Sequence, residues 1–387
     1  MVTWGLWQTS SKPNLSTYLI PLCQERINLK SNGFGVMLNT GVGQCKAILV
    51  LAIVDLMAKA PLLGVAYHNG NYGCSSCEEP EQVVNSGKGT ARSYPPKVKY
   101  ELRDTTEFLH TANKVVTTRT EELGIRTLSP LLSLEFFDIV NGVVPDYMHG
   151  ILLGITKNLI TLWTKSKYYK CGYYIGTKVK ILERGLQDMM PNDYVQRMPR
   201  KFQHSWKASE YQEWLLYFAL PCLDGILQTQ YYEHFSMIVS AIYKLLSDTI
   251  SEADLICAER ELKEFYMQMP ALYGFEQCGL NVHNAGAHLC SYVRMWGPLW
   301  AWSCFSYEDM SGNVLSRVHD TGNVSIQALK MLPMQKILRT TYLSMPNIRL
   351  RSFVAEMLRS SQMPRKLTKL IRHLRTRLFH VPKTTFR

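Results

Sequence analysis

The sequence predicts a mainly helical α/β protein in which a small sheet accompanies a large set of helices. The evidence for a strand is a continuous apolar run over residues 47–54, rich in β-branched side chains and typical of a strand buried on both faces. The evidence for helices is the periodicity of apolar residues over most of residues 134–300. Hydrophobic residues make up 46% of the 387 residues and charged residues 19%, which excludes a mostly disordered chain.

The N-terminal third of the chain supplies one helix, one strand and a long polar segment. Residues 17–30 show a short amphipathic helical pattern that is interrupted at Gly33. The apolar run 47–54 follows and ends on Asp55. Residues 66–130 are polar and predict loops rather than regular structure.

Helical periodicity dominates the next part of the chain, over residues 148–165, 205–220 and 251–268. The last of these segments begins with the capping-box pattern Ser251-x-x-Asp254. Pro270 predicts the end of that helix, because proline lacks the backbone donor that a helix interior needs. The sequence shows no repeat of 20–50 residues, which excludes solenoids and propellers.

The net charge of +12 lies in the C-terminal tail. Residues 334–387 hold 13 lysines and arginines against one acid, whereas residues 1–333 hold 30 residues of each sign. A neutral body with a basic tail predicts a polyanionic partner, either nucleic acid or an anionic membrane surface. We expect backbone contacts to nucleic acid from six residues of a basic amphipathic stretch: Arg365, Lys366, Lys369, Arg372, Arg375 and Arg377.

The sequence predicts neither secretion nor a membrane span. Residues 1–7 lack the basic start of a signal peptide. The most apolar window, 47–65, carries Asp55 and Lys59 near its middle, and each charge costs about 2.5–3.5 kcal/mol at a bilayer centre. We therefore expect an intracellular protein that has no membrane partner.

Two thiols and two imidazoles form a candidate metal site. Cys74 and Cys77 have the C-x2-C spacing that chelates zinc, although on spacing alone a redox pair or a chance pair is comparable. His283 and His288 are five residues apart, which on one continuous helix places them roughly 140° apart. A shared site therefore requires a bend between them, which Gly286 permits; otherwise they are ordinary surface or core histidines.

Carboxylates form a second candidate site. Asp55 follows the predicted buried strand, where functional carboxylates project in α/β folds, although a helix N-cap fits this position equally well. Glu308 follows an aromatic stretch, and an isolated glutamate at such a position is usually exposed to solvent. Together the two carboxylates offer the oxygen ligands that Mg2+ prefers. Asp146 reads as a helix N-cap, and His149 as a capping or packing residue.

The order of these motifs resembles that in transposases of CACTA-type (En/Spm, Tnp2-like) DNA transposons. The matching elements are Val54–Ala60 with Asp55, residues 68–77 with Asn69-Gly70-x-Tyr72-Gly73-Cys74-x2-Cys77, Asp146-Tyr147-Met148-His149, residues 206–216, His283-x4-His288, and residues 303–308 ending on Glu308. Asp55 precedes Cys74 by 19 residues, and Glu308 follows His288 by 20. The matches extend through most of the chain.

The resemblance implies a ribonuclease-H-like core with a DDE/D catalytic centre, interrupted by a large helical insertion. It implies that Asp55 is the second catalytic aspartate and Glu308 the final glutamate, and that Mg2+ or Mn2+ binds between them only where the catalytic site is completed. It also implies structural Zn2+ at the cysteine and histidine pairs, DNA as the partner and a nuclear location. It leaves Asp146 and His149 without a role.

One departure from the family affects the expected activity. Residues 1–54 hold no aspartate, and Glu25 is their only acid, whereas the family carries a first catalytic aspartate on an earlier strand. We therefore expect a truncated ribonuclease-H-like core. The predicted parts are a partial core over 1–66, a zinc-linked helical insertion over 67–300, a core segment with the glutamate over 301–333, and the basic tail over 334–387.

The functional expectation follows from that departure. We expect a transposase-derived protein that by itself neither cuts nor joins DNA but retains zinc and DNA binding. Two alternatives stay open. One is a zinc-stabilised helical interaction module without a nucleic-acid role, and the other is a truncated gene model of an active DDE transposase. Self-association of the chain also stays open.

Overall fold

The computed structural model describes residues 13–38, 41–87, 89–189, 199–202 and 206–316, with short stretches and single residues between 318 and 352. Helix makes up 59% and strand 10% of these described residues, so the predicted predominantly helical class is confirmed. The ribonuclease-H-like core stays a prediction. The six basic tail residues expected to contact DNA lie outside the described residues. The chain divides into two units, of which the unit Thr9–Glu308 holds the strands and both candidate sites.

The N-terminal helix is confirmed and is followed by a hairpin that the sequence analysis did not predict. Helix α1 (Leu15–Ser31) begins where Asn14 accepts a hydrogen bond from the backbone of Thr17, at 3.1 Å. Strands β1 (Phe34–Leu38) and β2 (Gly41–Cys45) pair antiparallel.

The predicted strand is present but shorter and less buried than expected. Only β3 (Ala52–Val54) of the run 47–54 forms a strand, and its residues are half-buried. It pairs in parallel with β6 (Val143–Pro145), which is itself three residues long and fully buried. Because β6 is only three residues long, it pairs with only three residues of the run. The apolar composition alone therefore overestimated the length of the strand. Helix α2 (Leu56–Leu63) follows β3 directly.

The prediction of loops over residues 66–130 is wrong in two places. Strands β4 (Gln82–Ser86) and β5 (Gly89–Ser93) form a hairpin, and α3 (Thr105–Thr118) is a 14-residue helix. Helix α3 begins at Asp104, whose carboxylate accepts two backbone hydrogen bonds. It buries Phe108, Ala112 and Val115 on one face, a helical spacing that the polar residues between them obscured.

The helical body follows β6. It contains a π-helical segment Met148–Thr156, α4 (Lys157–Thr164), α5 (Val179–Asp188), α6 (Ala208–Glu213), a π-helical segment Trp214–Phe218, α7 (Ala219–Leu223), α8 (Thr229–Leu245), α9 (Glu252–Tyr273), α10 (Leu280–Ala287), α11 (Leu289–Trp296) and α12 (Phe305–Leu315). Short 3-10 turns lie at Pro130–Ser133, Ser166–Tyr168, Gly176–Lys178, Phe275–Gln277 and Leu299–Trp302. The predicted helices are present, but α9 continues past Pro270 to Tyr273.

Two large hydrophobic cores organise the described part of this unit. The larger core surrounds the antiparallel pair α8 and α9 and buries aromatic side chains such as Trp163, Phe235 and Phe265. The rings of Trp163 and Phe235 meet edge to face, with centroids 5.0 Å apart. The smaller core joins α1, α2 and α3 to residues 125–143. The β3–β6 pair borders both cores, which places the ends of these strands between them.

Two buried glutamates on α6, Glu210 and Glu213, are expected to respond differently when substitution removes their charge. Burial alone would raise the pKa of Glu210, but hydrogen bonds from Arg200 and from the backbone of Lys207 lower it to about 2. Glu213 accepts no hydrogen bond at its buried Oε2 from any described residue, and burial raises the pKa of this carboxyl.

We expect Glu210→Gln to lower the free energy of unfolding at pH 7 by about 2 kcal/mol, since the half-exposed Arg200 is partly screened by solvent. Because the folded pKa is depressed, this contribution is present above about pH 4.5 and disappears as the pH falls towards 2. Glu213→Gln is expected to cause no loss. Urea unfolding of both variants at pH 7 and pH 3 checks the pair; equal losses at pH 7 would contradict it.

Candidate metal centre and carboxylate cleft

The cysteine pair and the histidine pair lie on separate elements that the fold brings together. Cys74 and Cys77 lie in the turn between α2 and β4. His283 lies on α10, and His288 forms the break between α10 and α11, with φ −129° and ψ −25°. The bend that the histidine spacing required is therefore present, and it turns both imidazoles towards the thiols.

The four side chains converge at distances that suit one tetrahedral metal ion. The Cys77 Sγ lies 3.3 Å from the His283 Nε2, and the Cys74 Sγ lies 3.6 Å from the His288 Nε2. The two Nε2 atoms are 3.1 Å apart. Tetrahedral zinc with ordinary bond lengths would place sulfur and nitrogen about 3.5 Å apart and two nitrogens about 3.3 Å apart. This cluster, which we call the Cys2His2 cluster, can therefore hold a metal ion and is compatible with zinc.

Burial shields the side chains of the Cys2His2 cluster from water, which favours metal binding over hydration of the ligand atoms. Its four members are buried, with Cys77 and His283 fully so. Burial alone would raise the pKa of Cys74, but the hydrogen bond with Cys77 and the neighbouring imidazoles hold that pKa well below its usual value. The hydrogen bond with Cys74 and burial raise the pKa of Cys77. One thiol is thus prepared as a thiolate, which is the form that binds metal.

Tyr266 orients one imidazole from behind. Its hydroxyl lies 3.1 Å from the Nδ1 of His283 and also donates to the backbone carbonyl of Tyr94. With that donor role taken by Tyr94, the hydroxyl accepts a hydrogen bond from Nδ1–H, and the lone pair of Nε2 faces the thiols. Outer contacts of this kind fix the tautomer of a ligating histidine and its ring orientation.

Arg103 holds the backbone of the cysteine turn. Its Nε donates to the carbonyl oxygens of Cys74 and Cys77, both at 3.1 Å. A terminal nitrogen of the same guanidinium donates to the carbonyls of Tyr72 at 3.3 Å and Leu123 at 2.7 Å. One buried side chain therefore fixes four carbonyl groups around the two thiols. No spacing in the sequence pointed to this residue.

A second group lies at the carboxyl ends of the parallel strands. Asp55 directly follows β3, and Asp146 directly follows β6, so the two aspartates share one edge of the sheet. Asp55 caps α2 by accepting a hydrogen bond from the backbone of Ala58 at 2.6 Å. The N-cap role is therefore present, and the second oxygen of Asp55 is not needed for it. Asp55, Asp146 and His149 line one narrow cleft of about 20 Å³.

His149 connects Asp146 to Glu308. Its Nδ1 lies 2.6 Å from the Asp146 Oδ2, and its Nε2 lies 3.2 Å from the Glu308 Oε1. The other oxygen of Asp146 accepts the backbone N–H of Cys304 at 2.9 Å, which ties the start of α12 to the end of β6. The hydrogen bond to Asp146 raises the pKa of His149, and the charges of Asp146, Glu308 and Asp55 add to it. Glu308 is thus linked through His149, a residue that the resemblance left without a role, to Asp146, which shares the sheet edge with Asp55.

The cleft also contains a buried cation that the sequence analysis did not identify. The Lys59 side chain lies among the lining residues, is 5% exposed, and forms no hydrogen bond or ion pair with a described residue. Burial lowers the pKa of Lys59 to about 8. A lysine one helical turn after an aspartate at a strand end was the signal that could have found it.

Comparison with models of protein families and with curated proteins found no match for this chain. Among the described residues, no helix is both long and apolar enough to cross a bilayer.

Proposed function

We propose that this protein is derived from a DDE/D transposase, with a zinc-closed helical insertion on a partial ribonuclease-H-like core, and that this chain by itself does not cut DNA. The observation that supports the proposal best is the arrangement at the sheet edge. Asp55 and Asp146 follow adjacent parallel strands, and Glu308, 253 residues after Asp55, reaches the same place through His149. The DNA partner and the nuclear location belong to the same proposal.

Zinc is the metal we assign to the Cys2His2 cluster. Two thiolates and two imidazoles form a soft, tetrahedral ligand set, which favours zinc over magnesium or calcium. Four protein ligands leave no open position, so the ion would act as a cross-link between the cysteine turn and α10. With the ion bound, the four ligands would hold the cysteine turn against α10.

The carboxylate cleft has the ligands for a divalent cation but not the charge balance for tight binding. Asp55 and Glu308 would supply oxygen ligands to Mg2+ or Mn2+, and such an ion would polarise a phosphate. His149 lies between Asp146 and Glu308, and its raised pKa favours an imidazolium there. Two-metal phosphoryl transfer holds two ions about 3.5–4 Å apart between bridging carboxylates. An imidazolium opposes the entry of cations, and the sequence holds no aspartate before Asp55, so binding is expected to be weak.

A nicking assay on supercoiled plasmid tests the catalytic part of the proposal. We expect the purified full chain to leave the plasmid intact in Mg2+ and in Mn2+, because two of the family's three carboxylates are present. Glu308→Gln is compared with Glu107→Gln, an exposed glutamate on α3. Nicking that depends on Mg2+ or Mn2+ and is abolished only by Glu308→Gln would overturn the proposed loss of activity.

A further inference from the structure

A basic and aromatic segment joins α4 to α5. Residues 157–184 hold seven lysines and arginines against one acid, Glu183. Tyrosines stand between the lysines at four positions from 168 to 174. Residues 1–333 have no net charge in total, so the total charge does not reveal this local excess of cations.

The fold turns the cations of this segment outwards. The backbone of Ile175 donates to the carbonyl of Trp163 at 2.7 Å, which closes residues 164–175 into a loop against the helical core. Tyr173 and Ile175 are buried there and anchor the loop. The exposed cations form what we call the lysine surface: Lys165, Lys167, Lys170, Lys178, Lys180 and Arg184.

The lysine surface is not neutralised by the described part of the chain. None of its six side chains forms an ion pair with a described residue, whereas Lys114 and Arg126 elsewhere pair with Glu122 and Glu121. Glu183, the acid within the segment, accepts the backbone N–H of Phe202 instead. Burial raises the pKa of Tyr173, and the nearby charge of Glu276 adds to this effect.

Aromatic rings lie beside these cations. The Lys167 Nζ lies 4.5 Å from the centroid of the Tyr168 ring, and the Lys170 Nζ lies 5.6 Å from that of Tyr169. Tyr169 is 65% exposed, so its ring is free to meet a partner. An exposed ring among cations that form no ion pair with the described residues suits nucleic acid, in which phosphates alternate with flat bases and sugars.

We propose that the lysine surface binds the phosphate backbone of DNA, with Tyr169 against an adjacent base or sugar. The inference goes beyond the carboxylate cleft, since none of these residues lines it, and rests on the proposed function only in taking DNA as the partner. It also differs from the expected contacts of the C-terminal tail, which lie on other residues.

Fluorescence anisotropy with a labelled duplex and with a single strand of the same length tests this inference on the full chain. The test variant carries Lys165→Gln, Lys167→Gln and Lys170→Gln. The matched control carries Lys46→Gln, Lys99→Gln and Lys263→Gln, which remove the same charge from exposed positions elsewhere. A third variant, Arg365→Gln with Lys366→Gln and Lys369→Gln, measures the tail separately.

We expect the test variant to bind about tenfold or more weakly than the control, with a shallower dependence of affinity on salt, because each lost phosphate contact removes counterion release. Tyr169→Ala should weaken binding of the single strand more than binding of the duplex. Equal binding by the test and control variants overturns this inference and leaves the proposed function standing. A wild-type chain that binds no DNA at low salt overturns both. Stronger binding of poly-glutamate or of anionic vesicles than of DNA overturns the nucleic-acid assignment.

Discussion

Replacing Cys74 with serine, or His288 with alanine, is expected to remove the bound metal and to destabilise the fold strongly. The wild-type chain should carry about one zinc ion, measured by mass spectrometry of purified protein, and each variant close to none. Structural zinc contributes about 10–16 kcal/mol to the folding of zinc-finger peptides. With an unfolding entropy of about 2.1 cal/mol/K per residue, loss of even about 5 kcal/mol would lower the midpoint of thermal unfolding of the 387-residue chain by roughly 6 °C.

Cys257→Ser is the matched control for the cysteine change. Cys257 is a half-buried thiol on α9 whose sulfur contacts Glu261 and Arg260 and lies outside the Cys2His2 cluster. This variant should keep its zinc and its unfolding midpoint. Zinc that is absent from the wild type, or retained in both cluster variants, would show that these four residues do not form a zinc site. The helical interaction module, or a fragment that does not fold, would then be the better assignment.

The second large effect is expected at Arg103. Arg103→Met removes the shared donor of four carbonyl groups, at Tyr72, Cys74, Cys77 and Leu123, in a buried position. Unsatisfied buried acceptors cost about 1–3 kcal/mol each, and partial rearrangement should limit the total to about 3–5 kcal/mol. Urea unfolding in the presence of zinc measures this loss.

The rate at which a chelator removes the metal distinguishes two roles of Arg103: holding the two thiols in position, or stabilising the fold alone. If Arg103 positions the cysteine turn, Arg103→Met should release zinc faster than the wild type under conditions where both remain folded. Arg103→Lys should restore little, since one ammonium does not reach carbonyls on both sides of the turn. Arg260→Met, at an exposed position on α9, is the control and should change neither quantity. Unchanged release from Arg103→Met would contradict the positioning role.

Local sequence patterns predicted the features that depend on residues close together in the chain. The capping box at Ser251 and Asp254 is present at the start of α9, and the break at His288 was required by the spacing of two histidines. The cysteine pair and the histidine pair do lie together, as the order of motifs implied. Each of these features depends on spacing within about 20 residues, or on a ligand set that one metal ion would join.

Features that depend on contacts across the fold were missed or only half predicted. The link from Asp146 through His149 to Glu308 joins the end of β6 to a distant glutamate, and the pairing of β6 with β3 places Asp55 at the same sheet edge. No local spacing encodes this arrangement. Arg103 reads as an ordinary polar residue before α3, and its four partners are separated by up to 51 residues in the chain. The lysine surface was concealed because acids elsewhere in the sequence balance its charge.

The separation between the two halves of the Cys2His2 cluster has a consequence for biosynthesis. Cys77 and His283 lie 206 residues apart in the chain. At typical rates of translation, about 5–20 residues per second, the ribosome takes roughly 10–40 s to supply the histidines after the cysteines have been made. For that interval the nascent chain presents a bare dithiol. A metal ion held by all four residues of the Cys2His2 cluster can therefore be bound only late in synthesis, after α10 has been made.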